Sequence, residues 1–246
     1  MSVIDYDKVA QVYDSVREGD PVIISRMLTE KQLDENSSVL EIGCGTGNNT
    51  VLISKVSSAK VYGMDQSAGM LEKAMAKHSD IEYSQGDAVT LKGFADNQFD
   101  LVYMVDVIHH IKNIDIMFEN IARILKEEGR VFVFTNSHEQ IRSSRLTSRY
   151  FPETIEAELK RYQDGCEIEA AMKKAGLKNI LTEEILHPPV EDIGSRLIAL
   201  AETKGYSMFH LISQDAIDRG IAKLKEDMDK GQVTYYPKSL MVAGTK

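Results

Sequence analysis

The sequence has few cysteines, few prolines and no tryptophan among its 246 residues. Its two cysteines, Cys44 and Cys166, are too few for a disulfide framework or a four-ligand zinc site, so no metal site is expected. A reducing compartment, the cytoplasm, is the expected location. The five prolines leave long stretches of chain free to form helices and strands.

Long apolar runs and an excess of basic residues are also missing. About 18 uninterrupted apolar residues occur nowhere, and residues 1–10 have no basic-then-apolar signal pattern, so neither a membrane span nor an export signal is expected. With 29 Lys and Arg against 38 Asp and Glu, the net charge of −9 argues against binding to nucleic acid. A small-molecule partner is expected instead, and the sequence does not indicate an oligomeric state.

Short apolar runs alternate with helical patterns through the first half of the chain. The predicted strands are residues 38–42, 60–64, 81–85, 99–105 and 130–134, and Gly129 is predicted to close the helix before the last of them. Such alternation implies right-handed crossovers and a parallel sheet covered by helices on both faces. The predicted fold class is a Rossmann-like, doubly wound α/β fold.

One domain, residues 1–246, accounts for the whole chain in this interpretation. Its predicted parts are N-terminal cap helices (1–37), a cofactor-binding core (38–135), two helical segments that cover the substrate (136–163 and 188–232), and a final helix with strands (164–187 and 233–246). The covering segments differ from the core in having polar stretches without strand patterns.

A glycine-rich turn, Glu41 to Gly47 (EIGCGTG), follows the first predicted strand and precedes a helix. Glycines there allow a sharp turn and close approach of a ligand to the backbone. Asp65 ends the second strand, where a carboxylate can accept hydrogen bonds from both ribose hydroxyls, and Asp87 ends the third, where it suits an adenine amino group. These positions predict a nucleoside site.

The spacing within the turn separates two classes of cofactor. Dinucleotide binding typically uses G-x-G-x-x-G, whereas this turn has G-x-G-x-G and continues with Asn48. Glu41 fits a cofactor with an amino group better than one with two phosphates. An NAD-dependent oxidoreductase is therefore the less favoured alternative.

The sequence resembles the class I S-adenosylmethionine-dependent methyltransferases, in particular the small-molecule group that includes quinone and trans-aconitate methyltransferases. The motifs that carry the resemblance are VLEIGCGTG (39–47), VYGMDQSAGML (61–71), GDA (86–88), FDLVYMVDVIHHI (99–111) and YDKVAQVYDSVR (6–17). The resemblance implies S-adenosylmethionine as the cofactor. It also implies a seven-stranded, mostly parallel sheet whose last strand, 239–243, is antiparallel.

The same resemblance implies which residues contact the cofactor. Residues 6–17 are similar to a helix that covers it, the glycine turn lies at its methionine part, Asp65 at the ribose, and Met70, Asp87 and Ala88 at the adenine. The implied cofactor-binding residues are Tyr13, Arg17, Gly43, Cys44, Gly45, Asp65, Gln66, Met70, Asp87, Ala88, Met104 and Val105.

Candidate residues for the acceptor side are more open to alternative interpretations. His109 and His110 follow the fourth strand, and one of them is a candidate base, although both could simply pack at the start of the next helix. Arg142, Arg145 and Arg149 would share one helix face, either to bind a substrate carboxylate or phosphate or as a solvated face. Tyr206 and Tyr236 are candidates for a pocket wall or for core packing.

The predicted function is direct methyl transfer from S-adenosylmethionine to a small molecule, which releases S-adenosylhomocysteine. Proximity and orientation can supply much of the rate enhancement, so a weak catalytic signature is expected beside a strong cofactor signature. A non-catalytic module that binds S-adenosylmethionine is the second alternative, from a different class of protein.

Overall fold

The computed structural model describes residues 19–78 and 80–246, and the predicted cap helix with Tyr13 and Arg17 lies outside these residues. The strands are β1 (Ser38–Ile42), β2 (Lys60–Asp65), β3 (Glu82–Gln85), β4 (Phe99–Val105), β5 (Leu125–Thr135), β6 (Lys178–Leu186) and β7 (Lys238–Thr245). The helices are α1 (Pro21–Glu30), α2 (Asn48–Val56), α3 (Ala68–Lys77), α4 (Ile114–Ile124), α5 (Leu146–Tyr150), α6 (Thr154–Leu159), α7 (Gly165–Lys174), α8 (Ile193–Glu202) and α9 (Gln214–Asp229).

The seven strands form one sheet in the order β3-β2-β1-β4-β5-β7-β6. Strands β1 to β5 pair in parallel, whereas β7 runs antiparallel to both β5 and β6. The predictions of a doubly wound Rossmann-like fold and of an antiparallel last strand are therefore confirmed. The strand order reverses between β1 and β4, so the carboxyl ends of these two strands border the crevice where open α/β sheets bind ligands.

Two apolar layers cover the sheet. Helices α4 and α7 pack on one face, with Phe118 and Met172 fully buried there, and α1 and α2 pack on the other, with Met27 and Ile53 fully buried. Side-chain caps fix where the helices begin: Ser67 Oγ accepts a hydrogen bond from Met70 N–H at the start of α3. The apolar runs of the core strands and helices therefore determine where the sheet lies, and with it the crevice at its carboxyl-end edge.

The prediction that Gly129 ends a helix is wrong. Helix α4 ends at Ile124 and β5 begins at Leu125, which pairs with Phe99 before a register shift brings Arg130 opposite Leu101. The residues between them bulge out of the ladder, and Glu128 takes the positive φ of 60° there. A Cβ on Gly129 would lie 2.7 Å from the Lys126 carbonyl oxygen, so glycine serves a close backbone approach instead.

The covering segments contain a third apolar cluster of their own, built from α5, α8, α9 and the 3₁₀ turn Ser207–His210. Its centre is the edge-to-face pair of Phe151 and Phe209, with ring centroids 4.9 Å apart. A Cβ on Gly220 would lie 2.3 Å from the Phe151 ring, so helix α9 approaches that ring very closely. This cluster holds the chain over the carboxyl-end edge of the sheet.

Candidate functional site

The glycine turn joins β1 to α2 and is fastened to the neighbouring strand. Gly43, Gly45 and Gly47 have φ values of 69°, 53° and 78°, a region that side chains disfavour. The N–H groups of Gly43 and Cys44 both donate to the Met64 carbonyl, at 2.7 and 2.9 Å. A Cβ on Gly43 would lie 2.4 Å from a Val107 methyl group, so the turn also packs closely against the loop after β4.

Asp65, at the end of β2, is held by backbone donors on both sides. Its Oδ2 accepts a hydrogen bond from Gly45 N–H at 2.8 Å, and its Oδ1 accepts one from Ser67 N–H at 2.9 Å. An ionised carboxylate offers about four lone-pair sites, so both oxygens keep capacity for further donors. A carboxylate fixed in this way is suited to a diol.

Glu41 lies below the turn as a buried carboxyl, 3% exposed. It accepts hydrogen bonds from the Thr50 hydroxyl and, at 3.0 Å, from the Tyr103 hydroxyl. Burial raises the pKa of Glu41 to about 7, although these hydrogen bonds oppose the effect. Glu41 therefore titrates near neutral pH.

Cys44, in the turn itself, is also buried and lines the same space. Burial raises the pKa of its thiol well above the usual value, and the neighbouring carboxylates Glu41 and Asp65 add to the effect. The side chain is therefore a neutral thiol at physiological pH.

These groups line a cavity of about 910 Å³ at the carboxyl-end edge of the sheet. Of the cofactor-binding residues named from the sequence, the cavity is lined by Gly43, Cys44, Gly45, Asp65, Gln66, Met70, Asp87, Ala88 and Val105. Asp87 is exposed, and its Oδ1 accepts a hydrogen bond from Val89 N–H at 2.9 Å. The structure thus brings the ends of β1, β2, β3 and β4 to one space.

Met104 does not belong to that space. It is fully buried in the apolar core and absent from the cavity lining, because successive residues of a strand point to opposite faces and Val105 takes the lining position. The prediction that Met104 contacts the cofactor is therefore incorrect, and of the two neighbours only Val105 lines the cavity.

His109 and His110 form a short 3₁₀ turn, Ile108–His110, and both line the cavity. The His109 ring stacks on Tyr162, with centroids 4.1 Å apart and planes 9° apart, and lies 4.1 Å from the His110 ring at 47°. His109 is 7% exposed, whereas His110 is exposed. The two histidines thus occupy different environments, one clamped and one accessible.

The three arginines do not share a helix face. A π-helical turn, Gln140–Ser144, precedes α5, so Arg142 and Arg149 are exposed outside the cavity and Arg145 alone of the three lines it. Arg149 Nη2 lies 3.4 Å from Asp227 Oδ2 instead. Predicting one basic face from intervals of three and four residues is therefore wrong, because the helix is not continuous through 142–149.

Arg145 is held by a buried carboxylate that the sequence did not reveal. Its Nη1 donates to Glu158 Oε2 at 2.9 Å, and the side chain of Glu158 is completely buried. Burial would lower the pKa of Arg145, but Tyr162, Glu158 and Asp106 outweigh it and raise that pKa above the usual value. Arg145 is therefore a permanent cation in the cavity wall.

Of the two tyrosines predicted as candidates for a pocket wall, only one lines the cavity. Tyr206 lines the cavity, but Tyr236 is 61% exposed and lies outside it, while its neighbour Tyr235 lines the cavity. The segment leading to β7, residues 232–237, has no regular helix or strand. Sequence reasoning also missed Asp106, which follows β4 directly, and Tyr162; strand-end position was the available signal for Asp106.

A polar link between side chains crosses the edge of the cavity at the start of α1. Asp20 caps α1 through Val22 N–H and Ile23 N–H, and its Oδ2 lies 3.1 Å from His187 Nδ1 at the end of β6. His187 Nε2 lies 2.9 Å from Ser239 Oγ. Asp20 and His187 both line the cavity, so this link joins the first described helix to the end of β6 and to β7.

Neither a membrane-spanning helix nor a group of metal-ligating residues occurs in the described part of the chain. No helix within residues 19–78 and 80–246 combines the length and the apolar character needed to cross a bilayer. In the same residues, His, Cys, Asp and Glu form no group of three or more that could hold a metal ion.

Comparison with known proteins gives a family match to the core. Residues 40–133 match the family model described as "Methyltransferase domain". Phosphoethanolamine N-methyltransferase 1 of Arabidopsis thaliana is 29% identical over 159 residues, which are 62% of this chain and 31% of that protein. Demethylmenaquinone methyltransferase of Lactococcus lactis is 34% identical over 143 residues, which are 54% of this chain and 55% of that protein.

A solved structure extends the similarity to almost the whole fold. A protein named as a methyltransferase from an antibiotic biosynthesis pathway of Anabaena variabilis superposes with a TM-score of 0.78, covering 94% of this chain and 99% of that one. At 22% identity this similarity shows the fold alone. The chain spans about a third of the plant relative and about half of the bacterial one. Residues 40–133 are thus similar to a methyltransferase domain, in agreement with the resemblance seen in the sequence.

Proposed function

We propose that the whole protein transfers the methyl group of S-adenosylmethionine to a small-molecule acceptor. The observation that carries the proposal is the continuity of one cavity of about 910 Å³, which runs from the glycine turn and Asp65 to His109, His110 and Tyr206. A ligand pocket commonly measures about 300–1,000 Å³, so this cavity has room for a cofactor and a small acceptor. Phosphoethanolamine and demethylmenaquinone, the compounds in the relatives' names, are both small molecules.

The residues present fit the cofactor at several points. Gly43 and Gly45 line the cavity with backbone in the positive-φ region that side chains disfavour, and Asp65 offers carboxylate oxygens for the ribose hydroxyls. Met70 and Ala88 supply apolar walls for the adenine, Asp87 an acceptor for its amino group, and Gln66 and Val105 further lining. Glu41, ionised above pH 7, would offset a positively charged amino group.

S-adenosylmethionine, when bound, supplies an electrophilic methyl group on a positively charged sulfur that leaves as a neutral thioether. The acceptor's lone pair forms the new bond to the methyl carbon, and the acceptor loses a proton. We assign proton removal to His110, whose ring is accessible, and orientation of His110 to His109, which Tyr162 clamps. A positioned base contributes about 10²–10⁴-fold, and orientation of the two reactants contributes the rest.

The covering segments, 136–163 and 188–232, exclude water from the acceptor and select it in this proposal. Their lining residues include Arg145, Leu197 and Tyr206. We further propose that residues 1–246 act as one domain, since one cavity is lined from both the core and the covering segments. A cytoplasmic location stays a prediction from the sequence.

The test is turnover. Protein incubated with S-adenosylmethionine and a metabolite extract is expected to release S-adenosylhomocysteine, and the Asp65→Ala variant is the control without a cofactor site. A protein that binds S-adenosylhomocysteine but never forms it from S-adenosylmethionine would be a non-catalytic binding module. Thermal shifts with S-adenosylhomocysteine and NADH separate the methyltransferase from an oxidoreductase, because a bound ligand raises apparent stability.

A further inference from the structure

We propose that the acceptor carries a carboxylate or phosphate group, and that Arg145 binds this group in the part of the cavity lined by residues 136–239. The inference rests on the proposed function, because it concerns the acceptor of that same site. It distinguishes a small anionic acceptor from an uncharged, apolar one of similar size.

The first support is the pairing of Arg145 with a carboxylate that it shares. Two guanidinium groups share one carboxylate: Glu158 Oε2 accepts from Arg145 Nη1 at 2.9 Å, and Glu158 Oε1 lies 3.7 Å from Arg161 Nη2. Side-chain exposure is 11% for Arg145, 8% for Arg161 and 0% for Glu158. Arg145 thus shares Glu158 with Arg161, and Asp106 also acts on Arg145 electrostatically. A buried charge is costly unless it is paired, and an anion in the cavity would give Arg145 a direct partner that it does not share with Arg161.

The second support is the partner of the other guanidinium nitrogen. Arg145 Nη2 lies 3.8 Å from the thioether sulfur of Met208, and a thioether is a weak acceptor. A carboxylate or phosphate oxygen is a far stronger acceptor for a guanidinium N–H. Since Arg145 and Met208 both line the cavity, a ligand oxygen can replace the sulfur as the partner.

The third support is the separation of charge across the cavity. The core strands contribute the carboxylates Glu41, Asp65, Asp87 and Asp106 to the lining. Residues 136–239 contribute Arg145, Arg196 and Lys238, and no Asp or Glu lines the cavity from that stretch of the described chain. The core side also contributes Lys112, and its Asp106 acts electrostatically on Arg145. Its excess of carboxylates suits the positively charged cofactor of the proposed function, whereas the side lined by residues 136–239, without Asp or Glu, suits an anionic acceptor.

The experiment uses three probes that share a carbon skeleton: glycerol 3-phosphate, glycerate and glycerol. Each is titrated into the full chain loaded with S-adenosylhomocysteine, and binding is followed by ligand-observed NMR. We expect one or both anionic probes to bind more tightly than glycerol, and the two anions separate a phosphate site from a carboxylate site. Charge-assisted hydrogen bonds predict a loss of roughly 10–100-fold for the tighter anion in Arg145→Gln.

Because Arg145→Gln leaves Glu158 with Arg161 alone, a second variant removes both charges of the pair, Arg145→Gln with Glu158→Gln. It is expected to fold and still to lose the anion. Arg142→Gln, an exposed neighbour outside the cavity, is the matched control and should bind the anions as the unmodified protein does.

The outcomes separate this inference from the proposed function. S-adenosylhomocysteine affinity is measured by calorimetry in the same samples, and its absence in the unmodified protein would overturn the proposed function. With that affinity intact, the anionic acceptor is overturned if glycerol binds as tightly as the anions, or if the double variant keeps the anion affinity.

Discussion

The carboxylate of Asp65 accepts a hydrogen bond from the N–H of Gly45 at 2.8 Å, so the strand-end acid and the glycine turn form one unit. Replacing Asp65 with alanine removes the ribose acceptor and this anchor together, and we expect Asp65→Ala to abolish S-adenosylmethionine binding detectable by calorimetry. Asp229→Ala, on the exposed end of α9, is the control and should bind normally. Near-normal affinity in Asp65→Ala would contradict the ribose assignment.

Because Gly43 lies close to Val107, a side chain at position 43 is expected to destabilise the fold in two ways, by a steric clash and by the strain of a positive φ. The two effects can be measured separately. Gly43→Ala is expected to lower the free energy of unfolding by about 1–2 kcal/mol because of the positive φ. The clash with the Val107 methyl groups is expected to lower it further, by about 1–3 kcal/mol. Gly176→Ala has a φ of 85° with open space around it, so it reports the backbone cost alone. Urea denaturation of both variants measures the difference.

Val107→Ala tests the origin of the extra cost. In a double-mutant cycle, the penalty of Gly43→Ala should shrink towards that of Gly176→Ala once the Val107 methyl groups are gone. An unchanged penalty would mean that the clash is not with Val107.

The buried carboxyl of Glu41 predicts a fall in stability as the pH rises. Its pKa of about 7 in the folded chain is above the ordinary value of 4.5, so the folded state binds the extra proton between these pH values. The free energy of unfolding should lose ~3 kcal/mol from this group between about pH 4.5 and pH 7 and stay level above that range. Glu41→Gln should remove this loss, whereas Glu35→Gln, at an exposed position, should keep it.

The different environments of the two histidines predict different kinetic effects. With an acceptor found by the turnover assay, His110→Asn should lower kcat about 10²–10⁴-fold, because the base is lost, and should leave S-adenosylhomocysteine affinity near normal. His210→Asn, an exposed histidine that contacts the Lys204 carbonyl, is the control. If neither His110→Asn nor His109→Asn changes kcat, the base assignment is wrong.

The core could be predicted closely because local sequence decides it. Strands β1 and β4 have the predicted bounds, 38–42 and 99–105, since continuous apolar runs must be buried between helical layers. Asp65 and Asp87 were placed from their strand-end positions alone, because parallel strands end at one edge of the sheet.

The side chains that the covering segments place in the cavity could not be predicted, because their contacts join residues far apart in sequence. Arg145 depends on Glu158 and Met208, and no periodicity in the sequence links the three. Because of a π-helical turn, only Arg145 of the three arginines lines the cavity, and in a segment without regular secondary structure Tyr235 lines the cavity instead of Tyr236. Helix and strand periods assume regular geometry, which these segments lack.

The buried thiol of Cys44 has a consequence for the durability of the proposed enzyme. A methylating reagent attacks thiolates far faster than thiols, and Cys44 lines the space proposed for that reagent. Because burial and the adjacent carboxylates keep the sulfur protonated, a protein with the proposed function would avoid methylating its own Cys44 while S-adenosylmethionine is bound.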